Sequence, residues 1–200
     1  YLAERGYDVV VNYRNKAKRA ETVVAEIEER GRRGWIAQAD LTDAAQTEAM
    51  FAQIGREPGS LDLLVLNASG GLEKGMAADY AMQVNLTAQT RALDLALPLM
   101  RSGGRVVFVT SHLAHFHGQK PVYPAYEPVA ASKRAGETAL RERIPDLAER
   151  GISLVVVSGD LIEGSITPRL MERQSPGLIE ARREEAGDLP TVEEFAEAIA

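Results

Sequence analysis

The chain has 200 residues, no cysteine and a formal charge of −6 at pH 7, with 45% hydrophobic and 26% charged residues. That length suits one domain, the acidic balance argues against a nucleic-acid surface, and no apolar run is long enough to cross a bilayer. Without cysteine there is no disulfide framework, thiol nucleophile or Cys-ligated zinc, which fits a reducing, cytoplasmic setting.

The chain opens on YLAERG, which reads as the last turns of a helix. Five apolar runs rich in β-branched residues follow: YDVVVN (7–12), GWIAQAD (34–40), LDLLVLN (61–67), GRVVFVTS (104–111) and GISLVVVSG (151–159). Three are nearly unbroken Val, Leu and Ile, as expected of strands covered on both faces. Between them apolar residues recur at helical spacing, first Ala20, Val23, Val24 and Ile27, then Ala45, Ala49 and Ala52 with Met50 beside them. Gly31, Gly34, Gly55, Gly59, Gly103 and Gly151 fall where such helices should end. Long helices are predicted from Ala77 to Arg101 and from Pro128 onward. The segment from Glu163 to Pro190 is mixed, with scattered helical character, and TVEEFAEAIA (191–200) begins another helix. The alternation predicts an α/β fold, a single doubly wound parallel sheet with right-handed crossovers over residues 1–200. Both ends look cut.

In open parallel sheets ligands bind beyond the carboxyl ends of the strands. The residues there are Asn12-Tyr13-Arg14, Asp40-Leu41-Thr42-Asp43, Asn67-Ala68-Ser69-Gly70, Thr110-Ser111 and Ser158-Gly159. Singly, each is ordinary turn and capping chemistry. Taken with Asn85 in a helix and Ser132-Lys133 opening another, their order resembles the short-chain dehydrogenase/reductase family over essentially the whole length.

The resemblance implies a Rossmann-type fold and residue-level roles. Asp40, with Leu41 beside it, matches the acid that meets the adenine, and Asn67-Ala68 matches the asparagine segment next to the cofactor. Asn85 matches the helix asparagine of the proton relay, Ser111 the serine that binds the substrate carbonyl, and Lys133 the lysine on the nicotinamide ribose. Ser158-Gly159 stands where the family usually has Pro-Gly beside the nicotinamide. The family's first strand and glycine-rich phosphate loop would lie upstream of Tyr1, and its last strand beyond residue 200. The stretch from Asn67 to Asn85 is short for the family.

One position departs from the pattern: Val129 stands four residues before Lys133, where the family carries a tyrosine. A phenol with pKa about 10 must fall by roughly three units to work near neutrality, and valine has no proton to give. Three accounts compete. Tyr126, just ahead of Pro128 in the first helical turn, bends toward Ser111; or His112, His115 or Tyr123 donates instead; or hydride chemistry is lost and Lys133 only grips ribose.

At the end of the first strand, Arg14 with Asn12, Asn15 and Lys16 offers donors and positive charge to a 2′-phosphate, so NADP is expected over NAD. The histidines of SHLAHFHG (111–118) have no acid spaced to complete a metal set, and no metal is expected. The resemblance thus implies an NADP-dependent oxidoreductase acting on a small carbonyl or alcohol substrate, working as a homodimer or homotetramer. A non-catalytic dinucleotide-binding sensor or partner module is the alternative.

Overall fold

Residues 1–73 and 75–200 are described by a computed structural model. In chain order the elements are β1 (Val9–Tyr13), α1 (Ala17–Glu29), β2 (Gly34–Gln38), α2 (Ala44–Arg56), β3 (Leu61–Leu66), α3 (Tyr80–Met82), α4 (Ala88–Ala96) and β4 (Met100–Ser111). Then come α5 (His112–His115), α6 (Glu127–Glu142), α7 (Ile144–Glu149), β5 (Ser153–Gly159), α8 (Ile166–Gln174), α9 (Leu178–Ala186) and α10 (Val192–Ile199). All strand pairs are parallel, as the unbroken Val, Leu and Ile runs require.

The strands form two groups rather than one continuous sheet: β1 pairs with β2, and β3, β4 and β5 pair in that order. The facing edges of β1 and β3 line one cavity of about 880 Å³, with Val9, Val10 and Asn12 on one side and Leu61 to Leu66 on the other.

Local chemistry explains the helix limits. Asp43 caps α2 by accepting the Gln46 N–H at 3.0 Å. Pro128 sits in the first turn of α6, where its missing N–H costs nothing. Thr191 and Glu194 form a reciprocal cap that starts α10. The continuous helix expected from Ala77 to Arg101 is instead interrupted. A wide turn of π type, Gln83–Thr87, separates α3 from α4, a tight turn at Leu97–Leu99 built on Pro98 closes α4, and β4 has begun by Met100. In α2 the buried stripe is Thr47, Met50, Phe51 and Ile54, so Ala45, Ala49 and Ala52 face solvent. Larger apolar groups outcompete alanine for the core because burial scales with area.

The main core joins Leu66 of β3, Val106 and Phe108 of β4, Leu93 of α4 and Leu140 of α6. A second apolar cluster contains Ala114, Tyr126, Val129, Leu161, Met171, Leu178 and Leu189. It packs α8 and α9 onto α5 and α6 beside the carboxyl ends of β4 and β5. No helix among the described residues is long and apolar enough to cross a membrane.

Candidate active site

A cleft of about 480 Å³ opens at the carboxyl ends of β3, β4 and β5. Ser111, Tyr126 and Lys133 all line it. Ser111 is the last residue of β4, and its Oγ accepts the Ala114 N–H at 3.1 Å, which starts α5 immediately afterwards. Tyr126 ends the tight turn Pro124–Tyr126 directly before α6 and is 4% exposed. Burial raises its phenol above the usual value, and the nearby Ser111 side chain offsets part of the rise. Lys133 lies in the second turn of α6, and burial alone brings its ammonium down to about 8. No carboxylate among the described residues pairs with it.

Val129 shares this site but as packing. It is 2% exposed, and its Cγ2 would stand 3.0 Å from a Cβ on Gly71, whose φ is +115°. Gly71 thus packs against Val129 with no side chain of its own, while the phenol arrives from three residues earlier.

Asn85 lies in the π-type turn and is 1% exposed. Its amide donates to the Gly70 carbonyl at 2.9 Å and to Ser132 Oγ at 3.0 Å, and its Oδ1 accepts the Gly70 N–H at 3.3 Å. Ser132 Oγ donates in turn to the Val129 carbonyl at 3.0 Å. Wide turns of this kind recur at functional sites because they free backbone groups. Here the turn lets one side chain tie the loop after β3 to α6.

The expected cofactor residues follow the carboxyl ends of the strands, a rim divided between the two strand groups. Asp40 Oδ1 accepts the Thr42 N–H and hydroxyl at 3.0 and 2.7 Å, and Leu41 offers its carbonyl to Arg91 Nη1 at 3.4 Å. Asn67 lines both cavities, while the Ala68 carbonyl accepts Gln89 Nε2 at 2.8 Å. Arg14 donates to the Tyr80 hydroxyl at 2.8 Å. Asn12 spends its amide on the Ala37 and Ala39 carbonyls at 3.1 and 3.3 Å and on Met50 Sδ at 3.3 Å, so it braces β1 against β2. Ser158 Oγ is buried without a partner, and so is Thr110 Oγ1, its neighbour in the register of β4 and β5. Gly159 presses against the Phe195 ring, where a Cβ would stand 2.6 Å from Cε2.

These residues fit a dinucleotide. An unpaired ammonium in the cleft wall calls for hydroxyl acceptors, and a guanidinium after β1 suits an anion. No group of three or more potential metal ligands occurs among the described residues. His115 Nδ1 meets Glu137 Oε2 at 2.9 Å and His117 Nε2 meets Glu127 Oε1 at 2.7 Å, so two of the three loop histidines brace α5 and its loop against α6.

Sequence reasoning missed four contributors. Gln89 repeats the Asn85 position one turn later, a polar side chain on an otherwise apolar face, and that spacing was a usable signal. Tyr80, Glu137 and Phe195 gave none, because each acts through a partner distant in sequence.

The profile of the short chain dehydrogenase family matches residues 1–175. The chain is 33% identical over 168 residues to the 1-cyclohexenylcarbonyl-CoA reductase of Streptomyces collinus, covering 81% of this chain and 58% of that protein. It is 28% identical over 179 residues to the 3-oxoacyl-(acyl-carrier-protein) reductase FabG of Staphylococcus aureus, covering 86% of this chain and 71% of that one. Among solved structures, a short chain dehydrogenase from Burkholderia cenocepacia in complex with NADP superposes with a TM-score of 0.85 at 29% identity, covering 100% of this chain and 81% of that one. The chain thus spans a little under three fifths of the curated reductase it matches at 33% identity. On this evidence it belongs to the short-chain dehydrogenase/reductase family.

Proposed function

We propose that the chain is the core of an NADP(H)-dependent reductase in which Tyr126 takes the proton-donor role that the family gives to the position of Val129. The observation that carries this reading is the buried phenol of Tyr126, which lines the same cleft as Ser111 and the unpaired Lys133. Arg14, Asp40, Leu41, Asn67 and Ala68 would hold the adenosine end of the cofactor, and Lys133, Ser158 and Gly159 the nicotinamide end. A parallel strand added between the edges of β1 and β3 would join the two strand groups and carry a phosphate-binding loop to this rim. When bound, the cofactor supplies a hydride equivalent.

The side chains then have separate tasks. Ser111 and Tyr126 donate hydrogen bonds to a substrate oxygen, which stabilises negative charge as it develops there. Tyr126 passes its proton to that oxygen. The Lys133 ammonium opposes the cost of burying the resulting phenolate, and Asn85 holds the loop wall against α6. Leu113, Ile162, Phe195 and Ile199 give the cleft apolar walls, suited to an acyl chain or ring.

Two substrate types use this arrangement differently. In a ketone the oxygen sits on the carbon being reduced. In an α,β-unsaturated thioester it sits two carbons further on, so its proton donor belongs further from the nicotinamide. Tyr126 precedes Lys133 by seven residues, about 10 Å along an ideal helix against about 6 Å for a spacing of four. That offset and the likeness to 1-cyclohexenylcarbonyl-CoA reductase favour the unsaturated thioester, while the likeness to 3-oxoacyl reductase keeps a ketone as the second reading. NADPH consumption measured with a 2-enoyl thioester and a matched 3-oxo thioester separates them, and the first is expected to be consumed faster. Turnover of neither, with tight NADPH binding, would establish a dinucleotide-binding module instead. Pairing of two or four copies through α4 and α6 is the expected assembly, and sedimentation tests it.

A further inference from the structure

We propose that Tyr80 is a positioning residue for cofactor choice, its phenol oxygen holding the Arg14 guanidinium ready for a phosphate on the adenosine ribose. The proposal rests on the reading of Arg14 given above. Arg14 follows β1 in the two-stranded group, whereas Tyr80 opens α3 beside the three-stranded group, 66 residues away, and their 2.8 Å hydrogen bond spans the two. Tyr80 is 8% exposed, and its ring is pinned: a Cβ on Gly70 would stand 2.9 Å from its Cε1. A half-exposed, flexible arginine is thereby anchored to a fixed acceptor.

The chemistry of that anchor decides the argument. A carboxylate bonded directly to Arg14 would neutralise it and compete with an incoming phosphate. The nearest acid oxygen, Asp40 Oδ2, forms only a long ion pair with Arg14 at 3.9 Å, beyond hydrogen-bond range, and Asp40 Oδ1 is committed to Thr42. Glu73 is committed to the Gly71 N–H at 2.6 Å. The hydrogen-bonded partner is therefore a neutral phenol, which takes one of five guanidinium N–H groups and leaves the remaining donors for a bidentate anion. Holding the side chain in place beforehand removes part of the ordering cost of binding.

The test titrates the protein, as wild type, Tyr80→Phe and Arg14→Ala, with 2′,5′-ADP and with 5′-AMP, which lacks the 2′-phosphate. Tyr80→Phe keeps the ring against Gly70 and deletes only the oxygen. It is expected to weaken 2′,5′-ADP by about three- to tenfold, the worth of one hydrogen bond, to leave 5′-AMP unchanged, and to raise the KM for NADPH without lowering kcat. Arg14→Ala should weaken 2′,5′-ADP further, and adding Tyr80→Phe to it should cost nothing more. Unchanged or tighter 2′,5′-ADP binding by Tyr80→Phe, with Arg14→Ala still impaired, would overturn the role of Tyr80 alone. Arg14→Ala binding both nucleotides like wild type would bring down the reading of Arg14, and the assignment of Tyr80 with it.

Discussion

Gly136 of α6 crosses the π-type turn so closely that the Asn85 carbonyl oxygen stands well under 3.0 Å from where a Cβ on Gly136 would lie. Glycine inside a helix costs about 1 kcal/mol relative to alanine, and here the close crossing is what that cost secures. Gly136→Ala is therefore expected to destabilise the protein, not to stabilise it as alanine does elsewhere in helices. Relieving the overlap means moving α6 away from Asn85, at a cost of about 1–3 kcal/mol. Chemical denaturation measures the loss, and a midpoint at or above the wild-type value would contradict the contact.

Lys133 supplies a pH prediction with a definite sign. Its folded pKa of about 8 lies below the ordinary 10.5, so between those values the unfolded chain binds more protons and stability from this group rises with pH. Below pH 8 the buried charge costs about 3 kcal/mol at most. Tyr126, raised above 10.0 by burial, acts in the opposite direction only above pH 10. In cofactor-free protein, Lys133→Met should be more stable than wild type at pH 7, and the gap should close by about 2–3 kcal/mol between pH 8 and 10. For activity, kcat/KM of the wild type should fall above about pH 8 as the ammonium loses its proton.

The tyrosine assignment divides cleanly between two variants. Tyr126→Phe preserves the buried ring and removes the proton donor, so kcat should fall by about 10²–10⁴ while NADPH still binds. Val129→Tyr puts a larger ring on a buried position that packs beside Gly71 in the second apolar cluster. It is expected to cost about 1–3 kcal/mol of stability and to add no activity in the Tyr126→Phe background. Recovery of turnover in the double variant would show that position 129 remains the working one.

The five strands were legible because buried parallel strands are written in unbroken Val, Leu and Ile, and each was found within a few residues of its expected limits. The break at Asn85 was not, because a one-residue widening of a helix leaves apolar periodicity almost untouched. The inverted face of α2 was misjudged for a different reason. Alanine marks helices without marking their buried side, and Met50, Phe51 and Ile54 carried the stronger burial signal. At the site, residues following each strand could be located from spacing, whereas the Tyr80 contact with Arg14 and the Glu137 contact with His115 join segments 66 and 22 residues apart. Spacing along one chain carries no record of such pairings.

The ion pairs over the cleft predict how its apolar wall is held. Arg182 of α9 donates Nε to both carboxylate oxygens of Asp160, at 3.2 and 3.0 Å, and Arg183 pairs with Glu163. Asp160 and Glu163 follow β5 directly, so these bonds fasten α9 to the strand end that borders the cleft. Despite burial, hydrogen bonds from Arg182 and from the Leu161 N–H hold the Asp160 carboxyl below its ordinary 3.8, so its contribution is present above that value and lost as pH falls through the lower folded pKa. The pair should therefore be insensitive to pH from 5 to 8. A double-mutant cycle of Asp160→Asn and Arg182→Gln should give a coupling of about 1–2 kcal/mol. Arg182→Gln should also raise the substrate KM, leave NADPH affinity unchanged, and speed proteolysis near the positive-φ glycines Gly177 and Gly187 that bound α9. Equal losses in NADPH and substrate binding would mean that the pair supports the whole fold and not the cleft wall.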